Sequence, residues 1–212
     1  MPAKKTNTKP KVFINCPFDD EYKPLFRALV FCILYLDRYP VFSENRSSDK
    51  IRINEIIKLI KESRLGIHDL SRNKAKVAGD MPRFNMPFEL GLDIGSKRFG
   101  GVKYSKRKIL VFDASPHDYD KFIGDISGQD IESHNNNPET IIIKVRDWLS
   151  RIYKNLPGYT KIWKAYIQFS DDLPSRLLNN FTLHEIEIMQ IGDYRGFAKD
   201  WINDFKKDPI NR

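Results

Sequence analysis

Short apolar runs alternating with helix-spaced apolar stripes restrict this chain to one broad architecture. Val12-Phe13-Ile14, Pro40-Val41-Phe42-Ser43, Leu65-Gly66-Ile67-His68-Asp69-Leu70 and Ile109-Leu110-Val111-Phe112-Asp113 read as strands. Their continuous apolar character is that of strands covered on both faces. A fifth strand is read near Gln129-Asp130-Ile131-Glu132. After the first run, Tyr22, Leu25, Phe26, Leu29, Val30, Ile33 and Leu36 follow helical spacing, with Asp19 or Asp20 as the cap. After the second, Ile53, Ile56, Ile57 and Ile60 do the same, with Asp49 ahead of them. Further helices are expected over about 85–97 and 138–154. Such alternation calls for a parallel sheet with helices on both faces. Right-handed crossovers then bring every strand's carboxyl end to one edge, where ligands bind in such folds.

Three segments follow. Residues 1–10 are polar and basic and read as a flexible tail, 11–155 as the α/β domain, and 156–212 as a helical extension. The pattern changes after Leu156-Pro157-Gly158, with helices expected around Thr160–Phe169 and Thr182–Phe205. The richest apolar stretch, Leu25 to Leu36, is interrupted by Arg27. It falls short of the roughly 20 residues that a bilayer span needs. It reads as a buried helix, and no membrane association is expected. Cys16 and Cys32 provide neither zinc spacing nor a disulfide framework, which suits a reducing cytoplasm. The net charge of +8 favours anionic partners. The basic residues read as scattered, without a dense block or a nucleic-acid motif, so direct nucleic-acid binding ranks last.

The chemistry-bearing residues gather around one loop-to-helix junction. Arg83-Phe84-Asn85-Met86-Pro87-Phe88-Glu89-Leu90-Gly91-Leu92 reads as a helix start with Asn85 as N-cap and Pro87 in the first turn. Glu89 would then sit just inside the helix, where the dipole favours its ionised form. Asp69, at the tip of the third strand, is the second carboxylate expected at the same crevice. Two carboxylates at one crevice are the usual equipment for cleaving a glycosidic bond. Each also has a plainer reading, as a helix-start acid and as a turn cap. Arg72, Lys74, Lys76 and Arg83 line the long connection before the helix and suit a phosphate, Arg83 best of all. Phe13, Phe18, Phe84 and Phe88 flank the crevice, most of them as core. Four dispersed histidines argue against a metal site, and His68 reads as packed or surface-facing. Neither G-x-G-x-x-G nor a P-loop sequence occurs, and no cofactor is expected.

Three features occur in order: Phe13-Ile14-Asn15-Cys16-Pro17-Phe18 at a strand end, the Asp69 strand tip, and Phe88-Glu89-Leu90-Gly91 at a helix start. Over about residues 11–150 this resembles the nucleoside 2-deoxyribosyltransferase-like superfamily, a relative of the TIR domains that cleave NAD. The resemblance implies a flavodoxin-like open sheet of about five strands. It implies that Glu89 is the nucleophile at the anomeric carbon and that Asp69 contacts base or sugar. It also implies that Asn15, Pro17 and Phe18 line the sugar pocket; Asn85, four residues before Glu89, is a further candidate for substrate binding. Where the transferases carry a second acidic residue shortly before the nucleophile, this chain has Arg83-Phe84-Asn85-Met86. That departure suits a phosphorylated substrate better than deoxynucleoside base exchange. The expectation is a nucleotide N-glycosidase, a hydrolase with NAD as leading substrate, serving a bacterial stress or antiphage pathway. The alternative is a silent nucleotide or cyclic-nucleotide sensing module that signals to a partner. Resemblance also implies a homo-oligomer, whereas the sensing alternative signals to a partner protein through the C-terminal helices.

Overall fold

The computed structural model describes residues 9–43, 51–72, 84–117, 119–126 and 128–208. Expectations for the tail, for Asp49 and for Lys74, Lys76 and Arg83 lie outside the described residues, apart from Lys9 and Pro10. Five strands, β1 (Lys11–Asn15), β2 (Tyr39–Val41), β3 (Leu65–Asp69), β4 (Lys108–Asp113) and β5 (Asp130–Ser133), form one sheet in the order β2-β1-β3-β4-β5. Every neighbouring pair is parallel. This is the flavodoxin-like open sheet. The chain winds to one side of β1 through β2 and then crosses to the other through β3. The switch point, where a ligand crevice forms in such sheets, therefore lies between β1 and β3.

Alternate strand residues feed opposite cores. Val12, Ile14, Leu65, Ile67, Leu110 and Phe112 join the cluster under α1 (Lys23–Tyr35) and α6 (Pro138–Ser150). On the other face, Phe13 and Val41 meet α2 (Arg52–Glu62), while Ile109 and Val111 meet α3 (Asn85–Phe99). Two short helices, α4 (Val102–Ser105) and α5 (Asp120–Ile123), were not legible in the periodicity, because one turn is too short to show a period.

Helix α1 explains the C-terminal extension. Ten of its 13 residues are buried, all around the helix. A sheet covers only one side, so the outer side needs its own cover. α7 (Tyr159–Leu177) and α9 (Ile191–Lys207) supply it, with Ile162, Phe169, Tyr194, Ala198 and Trp201 sharing the α1 core. Thr182–Phe205 is not one helix. It divides into α8 (Leu183–Glu187), opened by a Thr182–Glu185 capping box, and α9. The break is stabilised from outside: Arg27 of α1 donates to the carbonyls of Ile186 (2.9 Å) and Glu187 (3.1 Å). These are carbonyls that a helix end leaves without partners.

Candidate functional site

Helix α3 begins at the carboxyl edge of the sheet, against the end of β1. Its N-cap is Phe84, without a side-chain cap bond, so Asn85 is the first helical residue and not the cap. Backbone hydrogen bonding decides this, since Phe88 N–H already donates to the Phe84 carbonyl at 3.1 Å. Glu89 is then the fifth helical residue, beyond the first turn, where the dipole has faded. Its surroundings set its charge instead. The residue is 4% exposed, and burial pushes its pKa up to about 7, against the pull of Arg52. The Arg52 guanidinium, at the start of α2, stands 3.6 Å from Oε1. A carboxyl group poised near neutrality suits proton transfer and charge stabilisation at physiological pH.

Asp69 lies at the same edge but turns inward. It is fully buried, and Tyr22 Oη donates to Oδ2 at 2.6 Å while Ser71 N–H donates to Oδ1 at 2.8 Å. His134 Nε2 lies 3.1 Å from Oδ2. The Asn136 N–H donates to His134 Nδ1 at 2.9 Å, so the ring proton sits on Nε2, close to Asp69 but not aligned for a hydrogen bond to it. Burial alone would raise the Asp69 pKa, but His134, the Ser71 amide and Tyr22 hold it below the ordinary value. Asp69 is thus a buried anchor tying β3 to α1 and to the end of β5. A sugar hydroxyl reaches it only by displacing Tyr22 or His134. The two carboxylates share a neighbourhood nonetheless: burial raises the Cys16 thiol pKa first, and the charges of Asp69, Glu89 and Asp19 raise it further.

A buried polar chain runs from Asn15 into the sheet. Asn15 Nδ2 donates to the Met86 carbonyl at 3.0 Å and lies 3.1 Å from His68 Nδ1. The carbonyl can only accept, so the amide orientation is determined. His68 Nδ1 must then accept, and Nε2 donates to Asp93 Oδ2 at 2.8 Å. Arg107 closes the chain. Its Nε and Nη2 bind the Asp93 carboxylate, and Nη1 donates to the carbonyls of Ile60 and Ser63. Burial would raise the Asp93 pKa, but His68 and Arg107 hold it low. Gly66 makes room: a Cβ there would lie 2.3 Å from Asp93 Oδ2. Both Asn15 N–H groups are spent, and its Oδ1 remains buried without a hydrogen-bond partner. Such an acceptor costs about 1–3 kcal/mol until a donor arrives.

The other expected residues divide. Pro17 is buried, and Phe18 is 45% exposed, edge-on to Phe26. Asn85 is exposed, as are Phe84 and Phe88, one helical turn apart. Phe13 is entirely core. Arg72 is engaged with Asp19 at 3.3 Å and Glu21 at 3.1 Å, so it holds its own loop and is not a free phosphate ligand. His68 is neither surface-facing nor paired with Cys16, since both its nitrogens are taken up in the buried chain. No group of three or more potential metal ligands occurs among the described residues. Arg52, Tyr22, Asp93, Arg107 and His134 were missed in the sequence. Only Gly66-Ile67-His68 carried a signal, a glycine beside a polar residue inside a buried strand, which marks a close approach.

Among the described residues no helix is long and apolar enough to cross a membrane. The chain matches no family model, no curated protein and no solved structure, so its family rests on no comparison and its function is argued from the site.

Proposed function

We propose that the chain is an N-glycosidase that cleaves the base–ribose bond of a nucleotide, with NAD the leading substrate. The observation that carries this reading is Glu89: one nearly buried carboxyl, its pKa about 7, at the switch-point edge, where Asn15 at the end of β1 keeps an unpartnered buried acceptor. In NAD the bond from C1′ to the nicotinamide nitrogen breaks, and its electron pair neutralises the pyridinium ring. The leaving group therefore needs no proton, and one carboxylate suffices. The cationic ring favours the ionised form of Glu89 on binding, and that carboxylate stabilises the developing oxocarbenium ion. Water then adds at C1′ and gives its proton to Glu89, which returns it to solvent. Asn15 Oδ1 accepts a ribose hydroxyl, and the exposed rings of Phe84 and Phe88 are available to a base. This reading keeps the resemblance to the nucleoside 2-deoxyribosyltransferase-like superfamily but gives Asp69 a positioning role. Exposed Leu178, Phe181, Leu183 and Ile188, in α8 and the turns on either side of it, offer apolar surface to a second copy or a partner.

The test is incubation of the purified chain with NAD and a nucleotide panel, with products separated by chromatography. Free base and ribosylated remainder are expected, and Glu89→Gln is expected to abolish release without loss of thermal stability. Undiminished turnover by that variant overturns the mechanism. The closure of Asp69 favours a second reading, a silent nucleotide sensor. Saturable nucleotide binding with no product at any pH between 5 and 9 selects that reading.

A further inference from the structure

At the sheet edge opposite Glu89, the structure gathers positive charge. Six of the twelve residues from Lys97 to Lys108 are Lys or Arg, a density that the reading of scattered basic residues overlooked. The end of α2, the end of α3, α4 and the starts of β3 and β4 all meet at this edge. Between them lies a cleft of about 420 Å³ whose walls include Lys61, Arg64, Lys103, Tyr104, Lys106 and Arg107. Lys61, Arg64, Lys103 and Lys106 are exposed, and none of the four forms an ion pair among the described residues. Arg107 is spent on Asp93 and on backbone carbonyls. Glu62, also on the wall, is engaged by Lys11 at 2.6 Å. Four cations thus line one concavity with no ion pair of their own among the described residues, Lys103 Nζ standing 5.3 Å from the centre of the Tyr104 ring.

Tyr104 is on the same wall, and Phe99 lies four residues before Lys103. Phe99 is 91% exposed, the least covered large apolar residue described, at the last position of α3. The Tyr104 ring packs over the next residue, where a Cβ on Gly100 would lie 2.7 Å from it. Gly101 turns the chain there with a φ of +79°. Cations lining a groove, with the half-buried Tyr104 ring on its wall and the exposed Phe99 ring close in the chain, are the features that hold a nucleic-acid strand, its phosphates on the charges and a base on a ring.

We propose that this cleft is a docking surface for single-stranded nucleic acid, separate from the Glu89 site. The unpaired cations sit inside a concavity, which a strand can enter and a flat bilayer cannot. A duplex keeps its base faces stacked and has no use for the Phe99 ring.

The test is fluorescence anisotropy of a labelled 20-nucleotide oligo-dU with the full chain. Binding is expected at about 50 mM salt and is expected to weaken about 50-fold by about 200 mM, the release that four phosphate contacts produce on a single strand. Lys103→Glu with Lys106→Glu is expected to weaken binding at least tenfold with melting temperature unchanged. Lys164→Glu with Lys199→Glu, an equal charge change at exposed sites on the C-terminal helices, is expected to change it less than threefold. Phe99→Ala is expected to cost about tenfold, the loss of one stacked base. Equal losses in the two charge variants, full binding by Phe99→Ala, or capture by anionic vesicles without oligonucleotide binding would each overturn the proposal. Glu89→Gln is expected to bind the strand like the parent chain, which separates failure of this surface from failure of the glycosidase reading.

Discussion

Arg52 Nη2 stands 3.6 Å from Glu89 Oε1, and it is the only described charge that pulls the Glu89 pKa back down against burial. Because the folded pKa is raised from 4.5 to about 7, the folded state holds a proton that the unfolded chain releases across that window. Stability attributable to this group is therefore full below pH 4.5 and is lost as pH rises through about 7. Glu89→Gln removes that loss. Its stability relative to the parent is expected to improve by about 3 kcal/mol between pH 4.5 and pH 8, measured by urea unfolding. A pH-independent difference would mean that Glu89 is ionised throughout.

Replacing Arg52 by Gln removes the counter-charge and pushes the Glu89 pKa higher still. Carboxyl-carbon NMR titration is expected to show an upward displacement. If catalysis requires the carboxylate, the rising limb of kcat/KM against pH moves upward with it. An unmoved limb would assign that limb to another group.

The Asp69 anchor gives the opposite pH sign. Its folded pKa is lowered, so its contribution is present above the ordinary value of 3.8 and vanishes as pH falls through the folded value. Tyr22→Phe deletes the 2.6 Å donor to this charge. It is expected to cost about 1.5–3 kcal/mol at pH 7 and less at pH 3, where the parent has begun to lose the same contribution. Equal losses at both values would assign the effect to packing.

Gly66→Ala tests the close approach behind Asn15. A Cβ would lie 2.3 Å from Asp93 Oδ2 and 3.2 Å from His68 Nε2, both rigidly held. A loss of about 1–3 kcal/mol is expected, with a displaced His68 ring signal in NMR spectra. Asp93→Asn, which leaves buried Arg107 without its counter-ion, is expected to cost about 3–5 kcal/mol. An unchanged His68 signal in Gly66→Ala would show that the chain relaxes around the added methyl.

Arg27→Met keeps the apolar stem inside the core but frees the carbonyls of Ile186 and Glu187. Faster amide exchange across residues 186–192 is expected, with a loss of about 1–3 kcal/mol. Unchanged exchange would show that α8 ends for local reasons alone.

How much the sequence reveals differs between fold and site. The four principal strands and the four long helices between and after them were legible, because continuous apolar runs mark strands buried on both faces and a 3.6-residue period marks a helix with a buried face. β5 was placed within one residue at each end. The α8–α9 break was not legible, because its cause is Arg27, about 160 residues earlier in the chain. At the site, Glu89 and Asp69 were legible as carboxylates at helix start and strand tip. Their states were not. Asp69 is closed by Tyr22 at the N-cap of α1 and His134 from beyond β5, and Glu89 is shifted by burial and by Arg52, which lies 37 positions away.

Local patterning by itself determined that this chain forms a wound parallel sheet whose first helix must be covered on all sides, because burying apolar surface needs only the right spacing along the chain. Tertiary structure alone decided which carboxyl is spent on structure and which stands near neutrality. It also decided that Lys61 at the end of α2, Arg64 just before β3, Lys103 in α4 and Lys106 just after it line one cleft. Charge states and electrostatic surfaces depend on distances across space, and those distances exist only once the strands have taken the order β2-β1-β3-β4-β5.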